Sequence, residues 1–366
     1  MENTVGGGGS VRAVIIGAGV AGLGIAWRLL QQDCTVTILD RFQPGTGASW
    51  AAAGMLAVTA ELEDSPEPER ALAMRSMALW PGFAAELEAS SGRPVHLAED
   101  GALLLAADAA GLAAMAGRAT QDVRLVGPQE ARALVPLLGT TLGGLWSPRE
   151  AHVDNRALAE ALTVAVLKAG GVILPNEPAV SILRQGGRAV GVLSPYGRHE
   201  GDAVVIAAGA WSGLLDDIPI VPVKGEVIAL APPPGVGLPG PVVWGEGVYC
   251  VPRHGRLLIG ATMEEAGFDT RLTQSGRDRL RRAAQSLMPA LKDWSLADHW
   301  AGLRPKSPDG LPLMGPLGDG LFVAGGQFRN GILFTPAVAQ EMADIVLGRA
   351  DVLSDLDPSR FSGRHS

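Results

Sequence analysis

The sequence predicts an α/β fold: a lobe on a largely parallel sheet, assembled from three separated chain segments, with an α+β lobe carrying a mixed or antiparallel sheet inserted between them. Three observations predict it. Residues 11–24 read VRAVIIGAGVAGLG, an apolar strand run, a glycine turn and the start of a helix, and TVTIL (35–39) supplies a second, β-branched run. Apolar runs leading into small residues return at 202–207 and 321–324. Between these pieces lie short strand candidates bounded by glycine and proline, the pattern of an antiparallel or mixed sheet.

The 366 residues suffice for one large two-lobed domain or two modest ones, each with its own core. A hydrophobic content of 47% with 19% charged residues is that of a soluble globular protein, and 49 glycines with 26 prolines imply many turns. The net charge is −8 with the basic residues scattered, which argues against nucleic acid or an anionic membrane as partner. Two cysteines, Cys34 and Cys250, support neither a disulfide scaffold nor a zinc site and read as small packing residues. No apolar run approaches the roughly 20 residues of a spanning helix. The first residues lack the basic and apolar blocks of a signal peptide, so a cytoplasmic location is expected, with residues 1–10 a flexible leader.

In the glycine turn, Val11 and Ala13–Ile16 form a run suited to a strand covered on both faces. Gly17 would allow the tight turn, Gly19 the approach of a pyrophosphate to the backbone, and Gly22 close helix-to-strand packing, with phosphates at a helix N-terminus. Asp40 ends the second strand, where a carboxylate can accept from ribose hydroxyls. Arg41, next to it, leaves a phosphorylated ribose as a second reading. This strand–turn–helix–strand context is Rossmann-like and indicates a dinucleotide without separating NAD from FAD.

Residues 44–56 are small and aperiodic, suited to backbone contact with a ligand or to a tight loop. A helix is predicted over 67–89 with a kink at Pro81. Strands follow at 100–107, 122–126 and 143–146, with a short helix at 128–134. A helix over 155–169 has Asn155 as candidate cap, and His152 before it reads as a capping or packing residue. Strands are predicted at 171–174, 179–183, 189–193 and 202–207, then at 227–230, 242–244, 248–251 and 256–259. A helix over 273–287 presents Arg277, Arg279, Arg281 and Arg282 as a solvated face. A strand at 321–324 precedes a helix over 335–347, with Thr335 as N-cap and Pro336 at the first helical position. Nicotinamide dehydrogenases usually keep their cofactor lobe more contiguous than this, which favours a flavin.

Seven collinear blocks carry a resemblance: GAGVAG (17–22), ASWAAAGML (48–56), VVIAAGAWSG (204–213), PVKGE (222–226), YCVPRHGRLLIGATM (249–263), WAGLRPKSPDGLPLMG (300–315) and GGQFRNGILFTPA (325–337). With these the chain resembles the D-amino-acid oxidase superfamily of FAD-dependent amine oxidoreductases, most closely its glycine oxidase branch in thiamine biosynthesis. The resemblance implies a Rossmann-like FAD-binding lobe at 11–85, 141–218 and 296–350, a substrate-binding lobe at 86–140 and 219–295, and a polar tail at 351–366. It implies FAD contacts at Val20 and Ala21 beside the glycines, at Asp40 and Arg41, at Ala48, Ser49, Ala53, Gly54 and Met55, at Ala179, and at Gly209 and Trp211. Gln327, Phe328, Arg329, Asn330, Gly331, Ile332 and Leu333 would line the isoalloxazine ring. There the Asn330–Gly331 amides could face the pyrimidine edge, where negative charge accumulates on reduction.

For the substrate, the resemblance implies that Arg304 grips a carboxylate, a task suited to a planar and permanently charged fork. Tyr249 closes over that carboxylate, Arg329 lies near the pocket and Met263 forms a wall. Carboxylate anchoring would set the α C–H against flavin N5 for hydride transfer, giving an imine that hydrolyses to an oxo acid (glyoxylate from glycine) and ammonia, with O2 reduced to H2O2. Gln327 stands where many members have histidine, and Gly247 lies two residues before Tyr249, so the preferred amine is left open. Gly302 occupies the position at which related sarcosine oxidases attach flavin through cysteine, which implies non-covalent FAD. Two alternatives stay open: a dehydrogenase passing electrons to a quinone or partner subunit, and a non-catalytic flavin-binding subunit. No metal is expected. Subunit number is not legible, although family members are often homo-oligomers.

Overall fold

The computed structural model describes residues 10–62, 65–352 and 354–361. The expected leader, apart from Ser10, lies outside them. Among the described residues one sheet of six strands runs in the order Leu313–Gly318, Leu321–Gly325, Ala203–Ile206, Arg12–Ile16, Thr35–Leu39, Val172–Leu174. All neighbours are parallel except the edge strand Leu313–Gly318. The parallel strands are apolar because both faces are covered. Helices Val20–Leu30, Asn155–Lys168 and Thr335–Val346 contribute to the core on one face, and the antiparallel ribbon Ser181–Gln185, Arg188–Ser194, Gly197–Glu200 packs Ala189 and Val192 against the other. The central strand Arg12–Ile16 has one sequence-adjacent neighbour and one drawn from near residue 200. Chain order thus reverses beside it and opens a crevice at the strands' carboxyl ends.

A second sheet of eight strands runs Ser295–Lys306, Val221–Ala231, Arg256–Gly260, Val248–Arg253, Val242–Gly245, Ala102–Leu105, Gly144–Ser147, Arg124–Val126. Its pairs are antiparallel except Val242–Gly245 with Ala102–Leu105. Helix Gln274–Leu287 covers one face through Leu280, Ala284 and Leu287, with Thr273 as its N-cap accepting from Gly276 N–H. The other face looks toward the crevice.

Several expectations are corrected. Strand Gly144–Ser147 and most of Ser295–Lys306 fall in segments expected of the FAD-binding lobe, yet both pair within the eight-stranded sheet. Strands Val221–Ala231 and Ser295–Lys306 pair along their whole length, far beyond the expected 227–230. Their interior holds Pro222 facing Pro305, Gly225 facing Gly302, and Lys224 and Glu226 facing Leu303 and Ala301, residues that hide a strand pattern in sequence. Strand 179–183 is shifted to Ser181–Gln185, with Ala179 left in the preceding loop. Asp154 caps the helix expected to start from Asn155, accepting from Arg156 and Ala157 N–H. Thr335 is the first helical residue rather than the cap, and its hydroxyl donates to the Gly331 carbonyl at 2.9 Å. Pro81 lies inside a continuous helix, Glu67–Ser91, which ends at left-handed Gly92. The tail is not simply polar: Leu356 is 1% exposed, and its carbonyl accepts Met314 N–H.

His152 pairs with Met55 in a short ribbon and is buried, and among the described residues neither ring nitrogen has a hydrogen-bond partner. Burial holds the imidazole neutral and lowers its pKa from 6.5 to about 4, assisted by Arg253 and His254 and opposed by Asp100 and Asp154. Between those values the unfolded chain carries the extra proton, so stability falls as pH drops through the window. The loss is about 3 kcal/mol once pH reaches the lower value. In His152→Gln that part of the pH dependence should vanish, as measured by urea midpoints at pH values above and within the window.

Candidate active site

The crevice between the sheets holds a cavity of about 330 Å³. At its nucleotide-type end Gly17 has φ 110°, and a Cβ there would stand 2.3 Å from the Ala207 carbonyl oxygen of the neighbouring parallel strand's exit. Gly22 packs the helix on the turn: its Cβ would stand 1.9 Å from the Gly17 carbonyl oxygen. Gly22 therefore supports the cavity from behind, whereas Gly17, Gly19, Val20 and Ala21 line it. Gly19, at the helix N-cap, brings no side-chain cap; instead Ser49 Oγ, from another segment, accepts Val20 N–H at 3.0 Å. Backbone donors at such a terminus form an anion-binding position.

Asp40 accepts Ala18 N–H at 2.6 Å and Phe42 N–H at 2.7 Å. Burial raises its carboxyl pKa, opposed by those two amides and by Arg41. The Arg41 guanidinium lies 4.9 Å from the Trp211 ring centroid and 5.2 Å from that of Phe42. Trp211 also stacks on Phe268 at 5.7 Å, joining the rim of one sheet to a loop of the other. Ala179 and Gly209 line this end, together with Phe42, Val180 and Leu214, which the sequence reading did not single out. Those three carry no motif, and only their meeting at the strand ends marks them.

The middle wall is the small-residue segment. Ala48 and Ser49 open the short helix Ala48–Ala51, and Ala53, Gly54 and Met55 follow on the wall. Gly54 is left-handed, with room for no Cβ beneath the Val153 carbonyl, 2.0 Å away. From behind, Arg253 Nη2 donates to the carbonyls of Ala53 and Val153 at 2.6 and 2.8 Å, and its Nη1 donates to Asn155 Oδ1 at 2.9 Å. Asn155 Nδ2 in turn donates to the Ser49 carbonyl at 2.7 Å. Sequence reading missed Arg253, whose signal was a lone arginine at the end of a strand.

At the far end, Arg304 and Gly302 stand on one strand and Gly225 and Val227 on its neighbour, with Gly225 opposite Gly302. Three glycines make the space. A Cβ at Gly225 would stand 2.2 Å from Arg304 Nη1, one at Gly260 2.3 Å from Tyr249 Oη, and one at Gly302 2.4 Å from Ala51 Cβ. Arg304 and Tyr249 thus lie across bare backbone on the cavity wall. Arg304 Nη1 donates to the Thr262 carbonyl at 3.1 Å, and Tyr249 meets Trp244 edge-on at 5.4 Å. Thr262 is buried, whereas the next side chain in this loop is turned outward. Met263 is accordingly 53% exposed and off the cavity wall, a correction to its expected role.

The remaining wall is the loop before helix Thr335–Val346. Gln327, Phe328, Arg329, Asn330, Gly331 and Ile332 line the cavity. Leu333 does not: it is buried in the core, and its carbonyl accepts Ser76 Oγ and Trp80 Nε1 at 2.6 and 2.9 Å. Phe328 takes the left-handed φ of 45°, with its N–H on the Pro305 carbonyl. Asn330 N–H donates within the turn to the Gln327 carbonyl, so of the expected amide pair only Gly331 has no protein acceptor among the described residues. Asn330 Nδ2 is fixed on Glu69 Oε1 at 3.0 Å.

Among the described residues no group of His, Cys, Asp or Glu is arranged to hold a metal ion, and no helix is long and apolar enough to cross a membrane. The family described as FAD dependent oxidoreductase matches residues 12–345. The chain is similar to a glycine oxidase of Pseudomonas aeruginosa, 36% identical over 364 residues that cover 96% of this chain and 98% of that protein. It is 35% identical to the bifunctional protein ThiO/ThiG of Synechocystis, covering 95% of this chain but 54% of that longer protein. The crystal structure of glycine oxidase from Geobacillus kaustophilus superposes with a TM-score of 0.88 at 32% identity, over 96% of this chain and 99% of the other. The family match and these similarities run along nearly the whole length, and the chain belongs to the DAO family of FAD-dependent oxidoreductases.

Proposed function

We propose that the protein oxidises glycine or another small amine or amino acid to an imine, which water converts to an oxo acid and ammonia, with O2 as the electron acceptor and H2O2 as the second product. One observation carries the reading: Arg304, laid over Gly225, and Tyr249, laid over Gly260, line the same cavity as the glycine turn. The relatives named glycine oxidase support the same substrate class.

The residues present fit FAD. A Cβ-free turn at a helix N-terminus whose cap residue, Gly19, has no side chain suits a pyrophosphate, the Asp40 carboxylate suits ribose hydroxyls, and the small 48–55 wall admits a flat ring. Both cysteines are buried and off the cavity wall, and Gly302 has its Cα packed toward Ala51, so we propose that the cofactor is held without a covalent link. Bound FAD supplies a two-electron acceptor for the hydrogen on the amine-bearing carbon.

The chain's own residues do the positioning. Arg304 can pair with a carboxylate through the N–H groups not committed to Thr262, an interaction made strong by its fixed charge and planar fork. Tyr249 offers a phenol on the same wall. With the carboxylate fixed, the amine-bearing carbon is confined between this wall and the closing loop, and Val227, Ala51 and Tyr249 exclude water from it. No side-chain base is required if the amine loses its proton on binding.

Arg304→Ala should raise the glycine KM about tenfold or more while the yellow cofactor stays bound; unchanged kinetics would remove Arg304 from the site. Peroxide release on adding glycine, sarcosine or D-alanine tests the reaction itself. Bleaching without peroxide would identify a dehydrogenase, and no bleaching with any amine would leave a non-catalytic flavoprotein. Gly225→Ala places a methyl against the far end of Arg304, a side chain that can swing away. Its melting temperature should therefore stay near that of the parent while glycolate, a non-oxidisable carboxylate, binds about tenfold more weakly by calorimetry.

A further inference from the structure

Lys224 and Glu226 are 3% and 0% exposed, and their charged atoms are 3.0 Å apart. They flank Gly225 on strand Val221–Ala231, so alternation turns both away from the cavity face that Gly225 and Val227 form. A buried ion pair gives little net stability against an apolar pair of the same size. The pair lies off the cavity wall, so its partners must explain it. Apart from His299 on the neighbouring strand, those partners lie in one segment, residues 261–273, which leads from strand Arg256–Gly260 to helix Gln274–Leu287.

Lys224 holds this segment three times. Its backbone exchanges both hydrogen bonds with Glu264 at 2.9 and 3.0 Å, its Nζ donates to the Arg271 carbonyl at 2.6 Å, and Nζ lies 3.5 Å from Glu264 Oε2. Glu226 holds both ends: its N–H donates to Thr262 Oγ1 at 2.8 Å, and its carboxylate accepts from Thr273 Oγ1 at 2.8 Å and pairs with His299 Nε2 at 2.7 Å. The Glu226 carbonyl also accepts Thr262 N–H at 3.1 Å. The carbonyl of this same Thr262 receives Arg304 Nη1. Farther along the segment, Phe268 stacks on Trp211 at the nucleotide-side rim.

We propose that Lys224 and Glu226 are positioning residues for substrate binding: they lash residues 262–273 across the back of the sheet so that the Thr262 carbonyl holds the Arg304 fork in the plane that receives a carboxylate. This rests on the reading of Arg304 under the proposed function. Glu226 sets the strap where it meets Arg304, and Lys224 stops it from sliding. A fork that loses its hold on the Thr262 carbonyl keeps its charge but loses its direction, which weakens two-point binding of a carboxylate more than it slows the later chemistry.

The test uses the FAD-loaded protein and two readouts, calorimetric binding of glycolate and steady-state oxidation of glycine. In Lys224→Met/Glu226→Gln, which removes both charges together, the glycolate Kd and the glycine KM should rise in parallel by about tenfold or more, with kcat within about twofold of the parent. Lys224→Arg, which keeps a cationic donor toward the Arg271 carbonyl, should recover most of the loss. If the double variant does not fold, Thr273→Ala loosens one tie while leaving the ion pair intact, and both constants should rise by about threefold. Folded, FAD-loaded variants with Kd and KM unchanged, or with kcat alone reduced, overturn the proposal. Failure of the parent protein to bind glycolate overturns instead the role of Arg304 on which it rests.

Discussion

Backbone approaching closely without Cβ atoms is the constraint on which the rest of the structure depends. At Gly17 and Gly22 a turn, a strand exit and a helix meet within distances that no side chain could share. At Gly225, Gly260 and Gly302 the same device works sideways, clearing floor on a sheet so that a guanidinium and a phenol can lie along it. The two ends of the cavity thus use one solution for different purposes, backbone donors for an anion in one case and room for large polar side chains in the other. Glycine is costly inside a strand, since it brings more backbone entropy to lose and no side chain to pack. Placing it opposite another glycine at Gly225 and Gly302 concentrates that cost where the cavity needs the space.

The wall between those ends is held from outside. Arg253 and Asn155 collect the carbonyls of Ser49, Ala53 and Val153, which belong to segments of small residues unable to hold each other by side-chain packing. A planar donor fork suits the task because it satisfies several carbonyls at once at fixed angles. The Lys224–Glu226 pair serves the opposite sheet in a comparable way, using charge buried behind the cavity to fix backbone at its edge.

Much of the fold was legible in the sequence because parallel strands covered on both faces are apolar without interruption, and the turn after the first of them is rich in glycine. The glycine turn could be located for the same reason, since Gly17 and Gly19 line the cavity through local backbone geometry, whereas Phe42, Val180 and Leu214 at the same end could not. Long-range pairing was harder to read. Strands Val221–Ala231 and Ser295–Lys306 contain prolines, glycines and charges that a propensity reading rejects, and only their mutual pairing makes them the longest strands of the second sheet. Asp154 and Asn155 show the same limit on a smaller scale: both suit a cap, and tertiary contacts to Arg253 decide which one takes it. Met263 lies in the loop after strand Arg256–Gly260, where no strand period fixes the side a residue takes, and it is exposed while its neighbour Thr262 is buried.

The edge of the six-stranded sheet offers a last consequence. Strand Leu313–Gly318 has a partner on one side only, yet Leu356 supplies a carbonyl for Met314 on the other, and Arg360 grips Asp309 and the Leu311 carbonyl just upstream. A bare row of amide donors is an invitation to foreign strands. Here the chain's own last described turn occupies part of that row, so trimming it would trade a closed border for an adhesive one.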